Sequence, residues 1–225
     1  MARQWNLSRL QLDEFALQSH VKAAEATDTG AFEGQIVPIE SFPELLVDEG
    51  IRRDSSAEKL AGLKAAFEAG GVVTAGNSSQ ISDGAAALII TTPEHARQLG
   101  LTTLVRLHTG VAVGADPVSV LTAPIPATAK LLARSGVALD EIGAYEVNEA
   151  FATVPLAWLA ETGADEKRLN PLGGAIAVGH PLGASGAILM TRLIHHMREN
   201  GLRYGLETMC EAGGTANATL LELVA

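Results

Sequence analysis

The segment Asn148-Glu149-Ala150-Phe151 places an amide where a predicted strand ends and a predicted helix begins. A side-chain amide at such a junction can donate a hydrogen bond to an oxyanion, either directly or through a water molecule that it holds. Asn148 could equally do no more than cap the helix. The motif alone favours capping.

A second segment, residues 173–186, surrounds His180 with glycine. Glycine gives the backbone access to positive φ and lets a ligand approach closely. A neutral imidazole here could accept a proton from a thiol, and the positive end of the helix predicted after it would favour the uncharged form. The spacing does not match a dinucleotide-binding fingerprint. These residues alone support a structural and a functional role for His180 equally.

The third segment contains Cys210, the one cysteine of the chain, at the end of a predicted strand. A lone cysteine is most often a buried, inert hydrophobe. It could instead be an activated thiol, because a nearby imidazole can bring its pKa of about 8.5 toward neutrality. The sequence gives no distance between Cys210 and His180.

Disulfides and metal sites are not expected in this chain. One cysteine excludes an intrachain disulfide and a cysteine cluster for a metal. Because His195-His196 has no partner at i+4, we predict no metal site there either.

Elements that could position these segments alternate between helix and strand. Ser8 is the predicted N-cap of a helix over residues 7–26, and an apolar run at 82–90 predicts a buried strand or helix. Further helices are predicted at 60–67, 94–99, 126–135, 151–161 and 184–200, an extended piece at 35–39, and strands at 101–110, 145–147, 206–210 and 217–224. This order predicts an α/β layered fold whose sites gather at the carboxyl ends of strands.

Composition excludes several classes of protein. The chain has 225 residues and a formal net charge of −10, and it has no Lys/Arg run, so nucleic acid is not an expected partner. No apolar run approaches the ~20 residues that span a bilayer, so no membrane association is expected. The first residues lack the layout of a signal peptide. We therefore expect a cytoplasmic protein.

In order and approximate spacing, the three segments together resemble the thiolase family of acetyl-CoA acetyltransferases and 3-ketoacyl-CoA thiolases. Each motif is weak alone, but the ordered set is specific. The resemblance extends upstream through residues 13–20, 33–38, 58–64 and 74–86, and therefore covers essentially the whole chain.

The resemblance implies a layered α-β-α fold, with residues 1–75 as the remainder of a loop domain and 76–225 as the C-terminal domain. It also implies acyl exchange through a cysteine thioester, with acyl-CoA and CoA as substrates, no further cofactor, and a homo-oligomer. His180 would be the base that activates the nucleophilic cysteine, and Asn148 would hold a water in the first oxyanion hole. Cys210 would be the second thiol, which moves a proton to or from the α-carbon.

The resemblance assigns three more positions. The backbone N–H of Ala212 would belong to a second oxyanion hole, Ser79 would contact CoA, and Phe151 would line the pantetheine channel. The family's Cys-x-Gly-Gly-Gly-x-Gly has alanine at two glycine positions here, Ala212 and Ala216. Because alanine takes positive φ less readily than glycine, we expect this hole to be altered.

The family's nucleophilic cysteine lies in an N-terminal half that has no counterpart in this sequence. We therefore expect an acyltransferase that needs this half in trans. The alternative from another class is a non-catalytic remnant that binds CoA or dimerises. A third hypothesis, a sterol-carrier-linked thiolase, fits less well, since some branches place His at position 148. Arg52 and Arg53 are interpreted as a solvated pair, although a cationic loop could meet the CoA phosphates.

Overall fold

A four-stranded sheet organises the protein, for which a computed structural model describes residues 1–224. Its strands are β1 (Val105–Gly114), β2 (Ile142–Val147), β3 (Tyr204–Glu211) and β4 (Thr215–Leu223), in the spatial order β1-β4-β3-β2. Strands β2 and β3 are parallel, and the other two pairs are antiparallel. The carboxyl ends of β2 and β3 therefore lie at the same edge of the sheet.

Helices cover both faces of this sheet. On one face, α4 (Pro124–Ser135) and α5 (Thr153–Thr162) pack around Tyr145 and Trp158, both fully buried. On the other, α7 (Ser185–Asn200) packs Leu193 and Met197 against Ala144. Because neighbouring residues of a strand point to opposite faces, Ala144 and Tyr145 separate the two layers. The expected layered α-β-α fold is confirmed.

The first helix supports the loop that contains His180. It spans Arg9–Asp28 as α1, and Ser8 is its N-cap, as the sequence predicted. The structure adds that Gln11 completes a capping box with Ser8. Leu12 and Ala16 on its buried face pack against Ile176 in the short helix α6 (Ala175–Val178). Apolar burial on α1 thus fixes the chain just before His180.

The segment between the first helix and the sheet is less regular than predicted. Helix α2 covers Ala57–Ala61 only, not 60–67, because the chain turns at Gly62 and Ala65 bridges to Thr74 instead. The extended piece predicted at 35–39 is not a strand, and its one ladder contact is the isolated bridge between Ile39 and Phe42.

The prediction of a buried strand or helix at 82–90 is wrong. These residues have no regular structure, and Ile89 and Ile90 are 83% and 74% exposed. The apolar run indicated burial, but in the described chain no strand pairs with this segment. Helix α3 (Pro93–Gln98) follows it, close to the predicted bounds.

The remaining predictions agree with the structure within a few residues, with the strand predicted at 101–110 displaced to Val105–Gly114. Helix α7 ends at Gly201, which adopts the left-handed conformation as its C-cap. None of the helices in residues 1–224 is both long and apolar enough to cross a bilayer.

Candidate active site

Asn148 and His180 meet at the carboxyl edge of the sheet. Asn148 follows β2, is 1% exposed, and donates its backbone N–H to the carbonyl of Thr208 on β3 over 3.1 Å. Its Nδ2 lies 3.3 Å from Nε2 of His180, which comes from the loop between α6 and α7. Two sequence-predicted residues 32 positions apart are thus in direct contact.

The contacts with Asn148 and Ser185 together define the tautomer of His180. Because the amide Nδ2 of Asn148 can only donate, Nε2 of the imidazole accepts and Nδ1 carries the hydrogen. Nδ1 lies 2.6 Å from Oγ of Ser185, and that hydroxyl donates in turn to the carbonyl of Pro181 over 2.9 Å. The ring therefore presents the lone pair of Nε2 to the edge where Asn148 lies. Ser185 was not identified from the sequence.

Burial lowers the pKa of His180 below its ordinary value, so the ring is neutral near pH 7. The sequence suggested the positive end of the following helix as the cause. The cause in the structure is instead the loss of hydration of a half-buried ring. A neutral imidazole, with a ring nitrogen that can accept a proton, is the form that a general base requires.

Cys210 lies at the end of β3, on the strand next to the one that leads into Asn148. It is 9% exposed, and burial raises its pKa to about 11, with a further contribution from the carboxylate of Glu211. Within the described chain no imidazole lowers the pKa of the thiol, and burial raises it instead. No hydrogen bond joins Cys210 to His180 in residues 1–224. The thiol is therefore protonated at neutral pH.

In the segment that follows Cys210, the two positions where the family has glycine and this chain has alanine, Ala212 and Ala216, do not require a positive φ. Positive φ falls on Gly213 and Gly214, at 78° and 80°, whereas Ala212 and Ala216 are outside that region. A Cβ on Gly214 would lie 2.9 Å from the carbonyl of Asp116. Neither alanine therefore strains the backbone through a positive φ, and the exposed Ala212 occupies its position in ordinary backbone geometry.

Ser79 and Phe151 belong to segments that are joined by backbone hydrogen bonds. The N–H of Ser79 donates to the carbonyl of Ala150 over 3.0 Å, and Ser78 bridges to Phe151. The sequence did not single out Phe67, whose ring lies edge-on to that of Phe151 with centroids 5.7 Å apart. Phe67 is 73% exposed, so the pair forms an apolar surface beside Ser79.

Glu149 connects three elements beneath the site. Its buried carboxylate accepts hydrogen bonds from Oγ of Ser19 at 2.7 Å, Nδ2 of Asn170 at 2.8 Å and the N–H of Ile176 at 3.2 Å. Burial raises the pKa of this carboxyl, and the three donors oppose that shift. The residue stood inside a recognised motif, but nothing in the sequence indicated these partners.

Gly174 leaves the space that this carboxylate occupies. A Cβ there would lie 2.2 Å from Cδ of Glu149, so we expect Gly174→Ala to lower the free energy of unfolding by about 2 kcal/mol or more through overpacking. Gly183→Ala is the matched control, because no atom lies within 4 Å of its added Cβ. Urea unfolding of both variants measures the difference, and equal midpoints would contradict the packing at Gly174.

The two neighbouring arginines, Arg52 and Arg53, differ in their ion pairing. Arg53 forms a bidentate ion pair with Asp28, at 2.8 and 2.7 Å, whereas Arg52 is exposed and has no ion pair within the part of the chain that the structure describes. Over the same residues, no group of three His, Cys, Asp or Glu side chains could hold a metal ion.

Comparison with protein families matches both parts of the chain. Residues 101–223 match the family model "Thiolase, C-terminal domain", and residues 1–94 match "Thiolase, N-terminal domain". A steroid 3-ketoacyl-CoA thiolase of Mycobacterium tuberculosis is 49% identical over 99% of this chain and 54% of its own length. A 3-ketoacyl-CoA thiolase of Photobacterium profundum is 41% identical over all of this chain and 60% of its own.

Solved structures give the same result. The acetyl-CoA acetyltransferase of Bacillus anthracis superposes with a TM-score of 0.94 at 38% identity, over 99% of this chain and 58% of that one. Human mitochondrial 3-ketoacyl-CoA thiolase in complex with CoA gives a TM-score of 0.94 at 33% identity, over 100% and 57%. The chain thus spans little more than half the length of these relatives. It belongs to the thiolase family.

Proposed function

We propose that this chain forms the acid/base side of a thiolase active site and works with a nucleophilic cysteine supplied by another polypeptide segment. In the degradative direction, that cysteine's thiolate attacks the 3-keto carbonyl of a 3-ketoacyl-CoA, and the C2–C3 bond breaks. Acetyl-CoA leaves as its enolate and takes up a proton. The thiol of CoA then attacks the acyl-enzyme and releases a shortened acyl-CoA. Condensation of two acyl-CoA molecules is the reverse.

The contact between Asn148 and His180 is the observation that supports this proposal most. When the attacking thiol takes the place of the Asn148 amide as the hydrogen-bond donor to Nε2, the neutral imidazole suits removal of a proton from that cysteine and later from CoA. The buried Oδ1 of Asn148 accepts no hydrogen bond from residues 1–224, so it remains available to a water that donates to the thioester oxygen.

Cys210 suits the proton transfer at the α-carbon. The departing enolate needs an acid, and the buried thiol is protonated at neutral pH. Its conjugate thiolate would take the α-proton in the condensation direction. The N–H of Ala212, in the turn just after β3, would stabilise the enolate oxygen, as the family resemblance implies.

The surface beside the site offers contacts for coenzyme A. Ser79 is a hydrogen-bonding group next to the apolar pair of Phe67 and Phe151, a combination that suits the amide and methylene groups of pantetheine. Arg52 has no ion pair within the described chain and could bind phosphate, unlike Arg53, which is held by Asp28. The same proposal includes a loop-domain remainder over residues 1–75 and a C-terminal domain over residues 76–225. It also includes a cytoplasmic location, a homo-oligomer and no cofactor beyond CoA.

Recombination of the two halves tests this function. The chain is purified alone and together with the N-terminal part of a thiolase, and cleavage of acetoacetyl-CoA by CoA is measured. We expect turnover in the mixture only. Turnover by the chain alone would contradict the division of roles, and binding of CoA by the mixture without turnover would favour a non-catalytic CoA-binding remnant.

A further inference from the structure

Gln80, next to Ser79, makes an unusual set of contacts. Its side-chain Nε2 lies within hydrogen-bond distance of three carbonyl oxygens, at 2.8 Å from Gly50, 2.9 Å from Ile176 and 3.1 Å from Ala177. An amide nitrogen has two hydrogens, so the three acceptors share them. Both N–H hydrogens of this half-buried side chain are therefore used in hydrogen bonds.

Two of these acceptors belong to the helix that precedes His180. Helix α6 is one turn long, and the carbonyl groups of its last residues have no partner further along the helix. The side-chain amide of Gln80, which is not part of the helix, donates hydrogen bonds to the carbonyl groups of Ile176 and Ala177. After them, the chain leaves the helix at Gly179, where φ is 94° and ψ is 168°.

The backbone of Gln80 contacts the chain on the other side of Gly179. The N–H of His180 donates to the carbonyl of Gln80 over 3.0 Å. One residue thus contacts the chain both before and after Gly179, and so restricts the direction in which the imidazole leaves the backbone. Atoms are close-packed here, since a Cβ on Gly50 would lie 2.9 Å from the Ala177 carbonyl and 3.0 Å from the amide of Gln80.

The neighbouring residue extends this connection to the other half of the candidate site. Ser79 donates its N–H to the carbonyl of Ala150, two residues after Asn148. The stretch 79–80 therefore joins the Asn148 loop to the His180 loop. The contact of 3.3 Å between Asn148 and His180 depends on the separation of these two loops.

We propose that Gln80 is a positioning residue that holds the imidazole of His180 in register with Asn148 through its side-chain contacts with α6. The catalytic consequence rests on the proposed thiolase function, whereas the effect on the His180 ring does not. Without the amide, the turn at Gly179 gains freedom, the ring becomes more hydrated, and both tautomers become populated.

Nitrogen-15 NMR of the histidine rings in the 225-residue chain tests the positioning. Gln80→Met keeps the length of the side chain and removes its donors, and His180→Gln assigns the His180 signals. We expect wild type to show the Nδ1–H tautomer, and Gln80→Met to show a tautomer mixture with a His180 pKa higher by about half a unit or more, as burial is relieved. Gln4→Met, at an exposed glutamine, is the matched control.

A purely structural role would give a different result. Gln80→Met would then lower the melting temperature while His180 kept its tautomer and titration, and that outcome would overturn the proposal. If Gln80→Met does not fold, Gln80→Ala leaves room for water to donate to the same carbonyls, and the same NMR criteria apply. With the N-terminal half added, we expect kcat to fall by about 10-fold to 100-fold with KM unchanged. An inactive wild-type mixture would count against the proposed function and leave the NMR result standing.

Discussion

Replacing Glu207 with glutamine is expected to stabilise the protein above neutral pH. Glu207 on β3 pairs with Glu146 on the parallel strand β2, and the two are 2% and 0% exposed. Both carboxyl oxygens of Glu146, and Oε1 of Glu207, accept no hydrogen bond from residues 1–224. Two carboxylates side by side without donors are costly to ionise.

The pKa values determine the direction of the effect. Burial raises the pKa of Glu146 to about 7 and that of Glu207 to about 8, the second also through repulsion from Glu146. Because the folded pKa values exceed those of the unfolded chain, the folded state holds protons that the unfolded state releases. The associated stability is fully present below the ordinary glutamate pKa of about 4.3 and is lost as pH rises through 7 to 8.

Glu207→Gln removes one of these protonation equilibria. We expect little change in the free energy of unfolding near pH 5 and a gain on the order of 3 kcal/mol near pH 9, measured by urea unfolding across that range. Glu40→Gln, at an exposed carboxylate, is the control and should follow wild type. Parallel curves for wild type and Glu207→Gln would show that the pair does not titrate as described.

Loss of the His180 imidazole is expected to have the largest effect on activity. In the chain combined with the N-terminal part of a thiolase, we expect His180→Gln to lower kcat by about 10²-fold to 10⁴-fold, because glutamine keeps polarity and size but cannot accept the thiol proton. His195→Gln, on α7, is the matched control, with an expected rate close to wild type.

The pH profile provides a second measure of the same residue. Burial lowers the pKa of His180, so the midpoint of the fall in wild-type kcat/KM on the acid side should lie below the ordinary histidine pKa of about 6.5. A midpoint above pH 6.5 would contradict a buried, neutral imidazole as the base. Equal activity in His180→Gln and wild type would exclude His180 from proton transfer.

Much of the secondary structure followed from local features of the sequence. Ser8, the predicted N-cap, marked the start of α1, because a cap satisfies backbone groups within a few residues. The prediction of a buried strand or helix from the apolar run at 82–90 was wrong for a different reason. Its apolar residues require a neighbouring element to pack against, and composition does not reveal whether the chain supplies one.

The amino-acid sequence by itself determined the identity and order of the candidate site residues, since Asn148, His180 and Cys210 stand in specific motifs at strand and helix ends. Only the tertiary structure determined what those residues contact. The contacts with Asn148 and Ser185 define the tautomer of His180, and burial keeps Cys210 protonated. The contacts of Gln80 and Glu149 join segments from 21 to 130 residues apart. Distances of that kind depend on how helices pack on the sheet, and residue types in local sequence do not encode them.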